Sequence, residues 1–503
     1  MLKTEAYNYT KAVFAGSITA VAFIYTIPML AWFCMVPLFI AFGKTGIANV
    51  FKISFIYALT IALFLFLWMP GKSSKFTGAG ISYGVIAFVG SSLLFSLYYT
   101  LPLICHKLLN TEHKAINVWL NGASMAAIWV LAEALFNQIF SAVPFFDFRI
   151  GHALAKNLYG IQYVSLFGVG VLSFVIVWIN YILADIWIKG KFRAVLIPIT
   201  VVLFFYLGGY FIHYSFLRNS KSVGKINIAT VRPNFSAEVK WDEKNGNSLI
   251  KELLSIQRNA IASGAEVVVW TESTVPWSYA PNDDFVKEIT RASAASGSLN
   301  LLGIATAVEK ENNLYNSVYG IMPNGSIAGR YDKQELLSFI ETPLCGLIIP
   351  FAYSPDFYLK KGPNKKPIGK AGMLLCNEVS VVPLARNNVK NGAQYLINMG
   401  NDGWVANTYL VEQHFINARL RAVENRRDMV VNNENGISGL VRASGDIATV
   451  QKDDRTTNIA MQAELRDQKS FYTANPYLMM LMCMAIVALH TIIKSIYFLT
   501  KNN

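Results

Sequence analysis

The 503-residue sequence is short of charge. Asp, Glu, Lys and Arg make up only 15% of it, where about 25% is ordinary for a soluble globular chain. The shortage is uneven. Residues 1–217 hold 13 Lys and Arg and 5 Asp and Glu; the other 286 residues hold 31 and 26. A chain divided in this way is not one solvent-exposed body, so a simple soluble enzyme is excluded. With 53% apolar residues a disordered chain is excluded too. Cysteine is also scarce. Five residues cannot all pair internally, which excludes a disulfide-stapled miniprotein. Cys34, Cys105 and Cys483 lie in apolar runs, where a thiol behaves as a small hydrophobe. Cys345 and Cys376 remain, either as a disulfide or as free thiols. The six histidines are scattered without ligand spacing, and no P-loop, HExxH or CxxC occurs, so no metal site is expected. No block of Lys and Arg and no RNP or helix-turn-helix pattern is present, so no nucleic-acid partner is expected either. Of the net charge of +13, +8 falls in the apolar part, where it reads as a topology signal.

What is present is a series of long apolar runs. About 20 mostly apolar residues cross a bilayer as a helix. Runs of that kind lie near 12–27, 28–43, 50–69, 81–105, 117–136, 164–188, 193–216 and 476–499, the first two meeting as a hairpin at Pro28. The first run continues into the second, unlike a cleavable signal peptide. The expected organisation is a seven-span transmembrane domain over 1–217, a soluble domain over 218–470 and a last transmembrane helix over 471–503. Lys3, Lys11, Lys44, Lys52, Lys107, Lys114, Lys189, Lys191, Arg193, Lys494 and Lys501 fall on one side; Lys72, Lys75, Arg149 and Lys156 fall on the other. The richer side is expected to be cytoplasmic, with both termini inside and the soluble domain outside. Outside there is no ATP, so a group transfer there must draw on an ester-linked or otherwise activated donor. Glu133 stands inside an apolar run, as a functional candidate or as a carboxylate meeting headgroups and water at a helix end. The loop after it is rich in Phe and suits the membrane interface.

The soluble part alternates strand and helix patterns. Lys225 to Val231, Ala265 to Trp270, Leu301 to Val308, Ala371 to Leu375 and Gln394 to Asn398 read as strands. Tyr315 to Met322 and Ile327 to Tyr331 flank a hairpin turn. Ser248 to Ala262 and Tyr409 to Arg426 have helical periods, and Val430 to Val450 holds a strand pair turning at Ser444-Gly445-Asp446. His414, on the second helix, is expected to pack or cap there.

Three polar residues follow buried strands: Glu272 after VVVWT, Lys333 after GRYD and Cys376 after GMLL. In a layered α/β domain such positions converge at one sheet edge. A thiolate is a nucleophile, a carboxylate takes and returns its proton, and an ammonium stabilises the oxyanion of a tetrahedral intermediate. Each residue alone has a structural reading. Gly80-Ile81-Ser82-Tyr83-Gly84 matches the G-x-S-x-G nucleophile turn, but it opens a membrane span with no strand before it and reads as a chance match.

At these residues the soluble part resembles the nitrilase (carbon–nitrogen hydrolase) superfamily. The motifs are Trp270-Thr271-Glu272, Tyr331-Asp332-Lys333, Leu374 to Glu378, Asn401 to Trp404, Gln413 to Glu424 and Asn435 to Gly439. Flanking spans, with Phe167 to Phe174 and Trp129-x-x-x-Glu133, make the whole chain similar to the apolipoprotein N-acyltransferase family. The resemblance implies a polytopic helical membrane domain of about eight spans carrying an inserted αββα sandwich. It implies Cys376 as nucleophile, Glu272 as general base and Lys333 as oxyanion support, with Glu341 and Glu378 as supporting glutamates. Trp241, Asn377, Trp404 and Glu133 become candidates for substrate contact. The implied partners are a phospholipid acyl donor, diacylglyceryl-modified apolipoproteins and the bilayer of a bacterial inner membrane. No cofactor is implied, and a monomer is expected. The sequence departs from the family pattern at Asn377, where an aromatic residue is usual, at Ser338 and Ile340 in the lysine loop, and at Val143-Pro144-Phe145. A membrane-anchored amidase with the same triad and a non-enzymatic scaffold are the alternative readings.

Overall fold

The computed structural model describes all residues except 1, 44, 73–79, 110–117, 236–238, 240, 309–311, 339, 344–357, 453–454 and 503. Among the described residues six helices are long and apolar enough to cross a membrane: Ile47–Lys72, Gly80–Leu109, Val118–Ile139, Gly170–Ile188, Phe192–Asn219 and Leu478–Thr500. The first expected span is a longer helix, Leu2–Ile24. The second is not one continuous helix: Pro28–Ala31 and Val36–Phe42 are separated by a turn. The run near 164–188 is also interrupted, because Gly168 takes a φ of +72° between Val164–Phe167 and Gly170–Ile188. Hydropathy does not register a reversal of φ, so the break was invisible in the apolar pattern. Gly80 to Gly84 begins a helix, not the strand–helix turn its pattern would need.

The soluble domain holds two sheets. Strands β1 (Gly224–Thr230), β2 (Val267–Val269), β3 (Leu299–Ala307), β4 (Asn313–Ile321), β5 (Ile327–Asp332), the short β6 (Tyr358–Leu359) and β12 (Ala460–Leu465) form the first, in the order β12-β1-β2-β3-β4-β5, with β6 beside β4. Strands β7 (Ala371–Leu375), β8 (Tyr395–Asn401), β9 (Met429–Glu434), β10 (Ser438–Val441) and β11 (Ile447–Gln451) form the second, in the order β11-β10-β9-β8-β7. Pairing is parallel along β1-β2-β3 and β7-β8-β9 and antiparallel elsewhere, except that β6 runs parallel to β4. Of the parallel strands, β2 and β7 are buried on both faces, which explains their unbroken apolar runs.

Side chains alternate across a strand, and this sorts the second sheet cleanly. Met373, Leu375, Tyr395, Ile397 and Val430 face the first sheet and build the core between the two. Leu374, Leu396, Met429 and Val431 face the other way, onto Ala385 and Val389 of the Val382–Lys390 helix and Phe415, Ala418 and Ala422 of the Tyr409–Asn425 helix. The opposite face of Tyr409–Asn425 puts Ile416, Leu420 and Val423 into the core of the membrane helices. Its polar side chains bridge the same seam. Gln413 donates to the Phe23 carbonyl, Asn417 to Asp147, and Arg419 to the Ala155 carbonyl at 2.9 Å. One helix therefore docks the soluble domain on the membrane part.

Candidate active site

Cys376 follows the last residue of β7 and opens a single 3-10 turn, Cys376–Ser380. Its φ is +48°, a left-handed conformation that non-glycine residues rarely adopt and that marks stored strain. The turn is held from both sides. The Cys376 carbonyl accepts from Asn398 Nδ2 at 3.2 Å and from His414 Nε2 at 2.9 Å. The thiol is buried beside a small pocket lined by Pro144, Asn377, Ser380, Asp402, Trp404 and His414. Cys376 is a free cysteine, so the disulfide alternative falls; Cys345 lies outside the described residues.

Lys333 stands one residue beyond β5 and is almost fully buried. Its Nζ donates to Glu272 Oε1 at 3.1 Å and to Glu341 Oε1 at 2.8 Å. Asn316 Nδ2 also donates to Glu272 Oε1, at 2.8 Å. Glu341 Oε2 accepts from the Leu337 backbone N–H at 2.7 Å, so this glutamate anchors both the lysine and its loop. Burial alone would lower the Lys333 pKa, but Glu272 and Glu341 outweigh it and hold the ammonium well above its ordinary value. Burial pushes the Cys376 thiol well up, and Glu272 adds to this while Lys333 opposes it. The resting thiol is therefore protonated, and forming the thiolate requires a base. Glu272 is the carboxylate with the largest electrostatic effect on that thiol. The set is equipped to deprotonate a thiol and to place a cation near the charge that then develops.

Glu378 does not bond Lys333. Its Oε2 accepts from the Leu375 N–H at 2.8 Å and from the Tyr331 hydroxyl at 2.8 Å. Its Oε1 accepts from the backbone N–H groups of Gln334 and Glu335, the latter at 3.1 Å. One carboxylate thus ties the cysteine turn to the lysine loop. Burial pushes it up to about 7, against the four donors that favour its ionised form.

The remaining expected residues separate. Asn377 and Trp404 line the thiol pocket, and Asn377 Nδ2 donates to the Glu335 carbonyl at 3.1 Å. Trp241 packs in an aromatic cluster with Phe235 and Trp277. Glu133 does not meet water: it is buried and accepts from Trp129 Nε1 and the Ile150 N–H, both at 2.8 Å.

Sequence reasoning passed over two groups. Asn316 carried no motif. His414 was expected only to pack or cap, yet Nδ1 meets Asp402 Oδ1 at 2.7 Å while Nε2 meets the Cys376 carbonyl. Both partners are acceptors, so the ring carries both protons. Burial opposes that charge, but Asp402 and the carbonyl prevail and raise the pKa above 6.5. The signal available in the sequence was its place in Gln413 to Glu424, one of the quoted motifs.

Residues 227–464 match the family model described as carbon-nitrogen hydrolase, and residues 15–182 match that of the apolipoprotein N-acyltransferase N-terminal domain. The chain is 26% identical over 489 residues to an apolipoprotein N-acyltransferase of Geobacter metallireducens, covering 92% of this chain and 91% of that one. It is 24% identical over 427 residues to the Haemophilus influenzae protein of the same name, covering 78% and 77%. A crystal structure of Saccharomyces cerevisiae Nit3, a nitrilase-superfamily member, covers 51% of this chain and 96% of its own at 19% identity and a TM-score of 0.38.

Proposed function

We propose, for a chain that belongs to the apolipoprotein N-acyltransferase family of enzymes, a two-step acyl transfer through Cys376. Glu272 takes the thiol proton and the thiolate attacks an acyl ester of a membrane phospholipid. Glu272 returns the proton to the leaving lysophospholipid alkoxide, and a thioester remains on Cys376. The free α-amine of a diacylglyceryl-cysteine lipoprotein then attacks the thioester and loses a proton to Glu272; the C–S bond breaks, Glu272 passes that proton to the departing Cys376 thiolate, and the N-acylated product leaves. Lys333 supports the oxyanion in both steps. Glu341 holds Lys333, and Glu378 holds the two loops together.

The observation that carries this reading is the strained cysteine turn beside a buried Glu-Lys-Glu set, seated against membrane helices. Holding the site at the bilayer raises the effective concentration of two lipid substrates. Residues 218–470 form the catalytic unit in this reading, and the distribution of Lys and Arg in the short loops supports a periplasmic position for it at a bacterial inner membrane, with both termini cytoplasmic. The test is transfer of a fluorescent phospholipid acyl chain. Cys376→Ser should abolish labelling of the protein and of a lipoprotein acceptor; transfer at the wild-type rate would refute the assignment. Release of free fatty acid or ammonia without an acceptor would point instead to an amidase.

A further inference from the structure

The larger cavity lies to one side of the thiol. It measures about 630 Å³ and is bounded by the Val118–Ile139 helix, the Leu478–Asn502 helix and the underside of the catalytic domain. This size suits a small-molecule or lipid-headgroup site. Leu131, Met479 and Met480 line its apolar part, and the exposed Leu135 and Tyr477 edge its mouth.

Its charged lining is accounted for with one exception. Arg149 pairs with Asp147 at 3.1 Å, Glu335 with Lys361 at 2.9 Å, and Glu424 with Arg421 at 2.7 Å. Glu133 is taken by Trp129 and the Ile150 N–H. Arg386 has none of this. It is only 8% exposed, its Nε is buried without a hydrogen-bond partner, and its guanidinium lies over the Tyr477 ring at 5.6 Å with no salt bridge among the described residues. A buried cation is costly unless it is paired, and every acid around it is already engaged. The cavity is therefore built for an anion at one end and hydrocarbon at the other.

We propose that this cavity binds the phosphodiester of a phospholipid, with Arg386 on the phosphate and the acyl chain against the Val118–Ile139 and Leu478–Asn502 helices. Guanidinium is matched to phosphate oxygens in charge and geometry. A diacylglyceryl-cysteine group carries no phosphate, so the cavity discriminates between the two lipids of the reaction. Pro144 and Ser380 line both this cavity and the thiol pocket. A headgroup held here lies next to the thiol and not upon it, a station for incoming phospholipid or departing lysophospholipid. That role rests on the proposed reaction; the binding does not.

The test is native mass spectrometry of the full chain in detergent, titrated with lysophosphatidylethanolamine and with a monoacylglycerol of the same chain length. The wild type should prefer the phosphate-bearing lipid by about tenfold or more. Arg386→Leu should lose that preference, Arg386→Lys should keep part of it, and Leu135→Trp at the exposed mouth should weaken both lipids alike. Equal binding of the two lipids by the wild type, or an unchanged preference in Arg386→Leu, would overturn the proposal. So would inorganic phosphate competing as well as the lipid, which would make this a site for free anions. Binding is read without turnover, so an absence of acyl transfer counts against the reaction and leaves this result standing.

Discussion

Replacing Lys333 by methionine tests the electrostatics of the site most directly. Lys333 lies between two carboxylates, at 3.1 and 2.8 Å. Those distances put Glu272 and Glu341 no more than about 6 Å apart, so two like charges share one buried site. With the lysine the trio carries a net charge of −1; without it, two buried carboxylates face each other with only Asn316 donating to both. Removing one partner of a buried ionic set costs about 3–5 kcal/mol. At about 2–4 °C per kcal/mol this predicts a fall of roughly 10 °C in the Tm of the detergent-purified protein. With no cation left to support the oxyanion, no thioester should accumulate on Cys376 by intact mass. The double variant Lys333→Met/Glu341→Gln restores the charge of −1. It should regain about 1–3 kcal/mol of stability through coupling of the two sites, while acyl transfer stays absent. A double variant no more stable than the single one would refute this account of the site.

Three further outcomes are expected. Gly303 on β3 has no room for a side chain: a Cβ there would lie 2.1 Å from the Thr271 carbonyl oxygen and 3.1 Å from Glu272 Cα. Gly303→Ala should therefore lose about 1–3 kcal/mol in denaturant titration and slow thioester formation by displacing the base. Glu378→Gln turns an acceptor met by four donors into an amide whose NH₂ confronts two of them; at about 1–3 kcal/mol per unsatisfied buried group, thermal melts should drop and the lysine loop should become more sensitive to protease. His414 has its folded pKa raised above 6.5, so its stabilising contribution is complete below that value and is lost as pH rises through the raised pKa. Wild-type Tm should therefore decline on going from pH 6 to 9 more than that of His414→Gln, and equal slopes would remove the imidazolium assignment.

The strand-end residues were legible because period and burial fix where a buried strand stops, and polar residues that follow three such strands stand out. Glu272, Lys333 and Cys376 come together in space for that reason. The bracing between them was not legible. Asn316 reaches Glu272 from β4, two strands away from β2, and His414 reaches the Cys376 carbonyl across 38 residues of sequence; no local pattern encodes such an approach. Arg386 carried no motif, and only the pairing of every acid around it makes it notable. The Tyr409–Asn425 helix is a further case. Its helical period says nothing of what Gln413, Asn417 and Arg419 meet. Those polar groups meet backbone and side chains of the membrane part, so the helix has no wet side.

That helix also sets the order in which the protein can mature. A catalytic domain released from its membrane partner would present Ile416, Leu420 and Val423 to water, together with arginine and amide groups stripped of their acceptors. The same rod holds His414 against the cysteine turn, so it links the seam to the site. A chain that stalls or is clipped short of assembly should be recognised by quality-control proteases through that open seam, and should never circulate as a stray soluble thiol hydrolase.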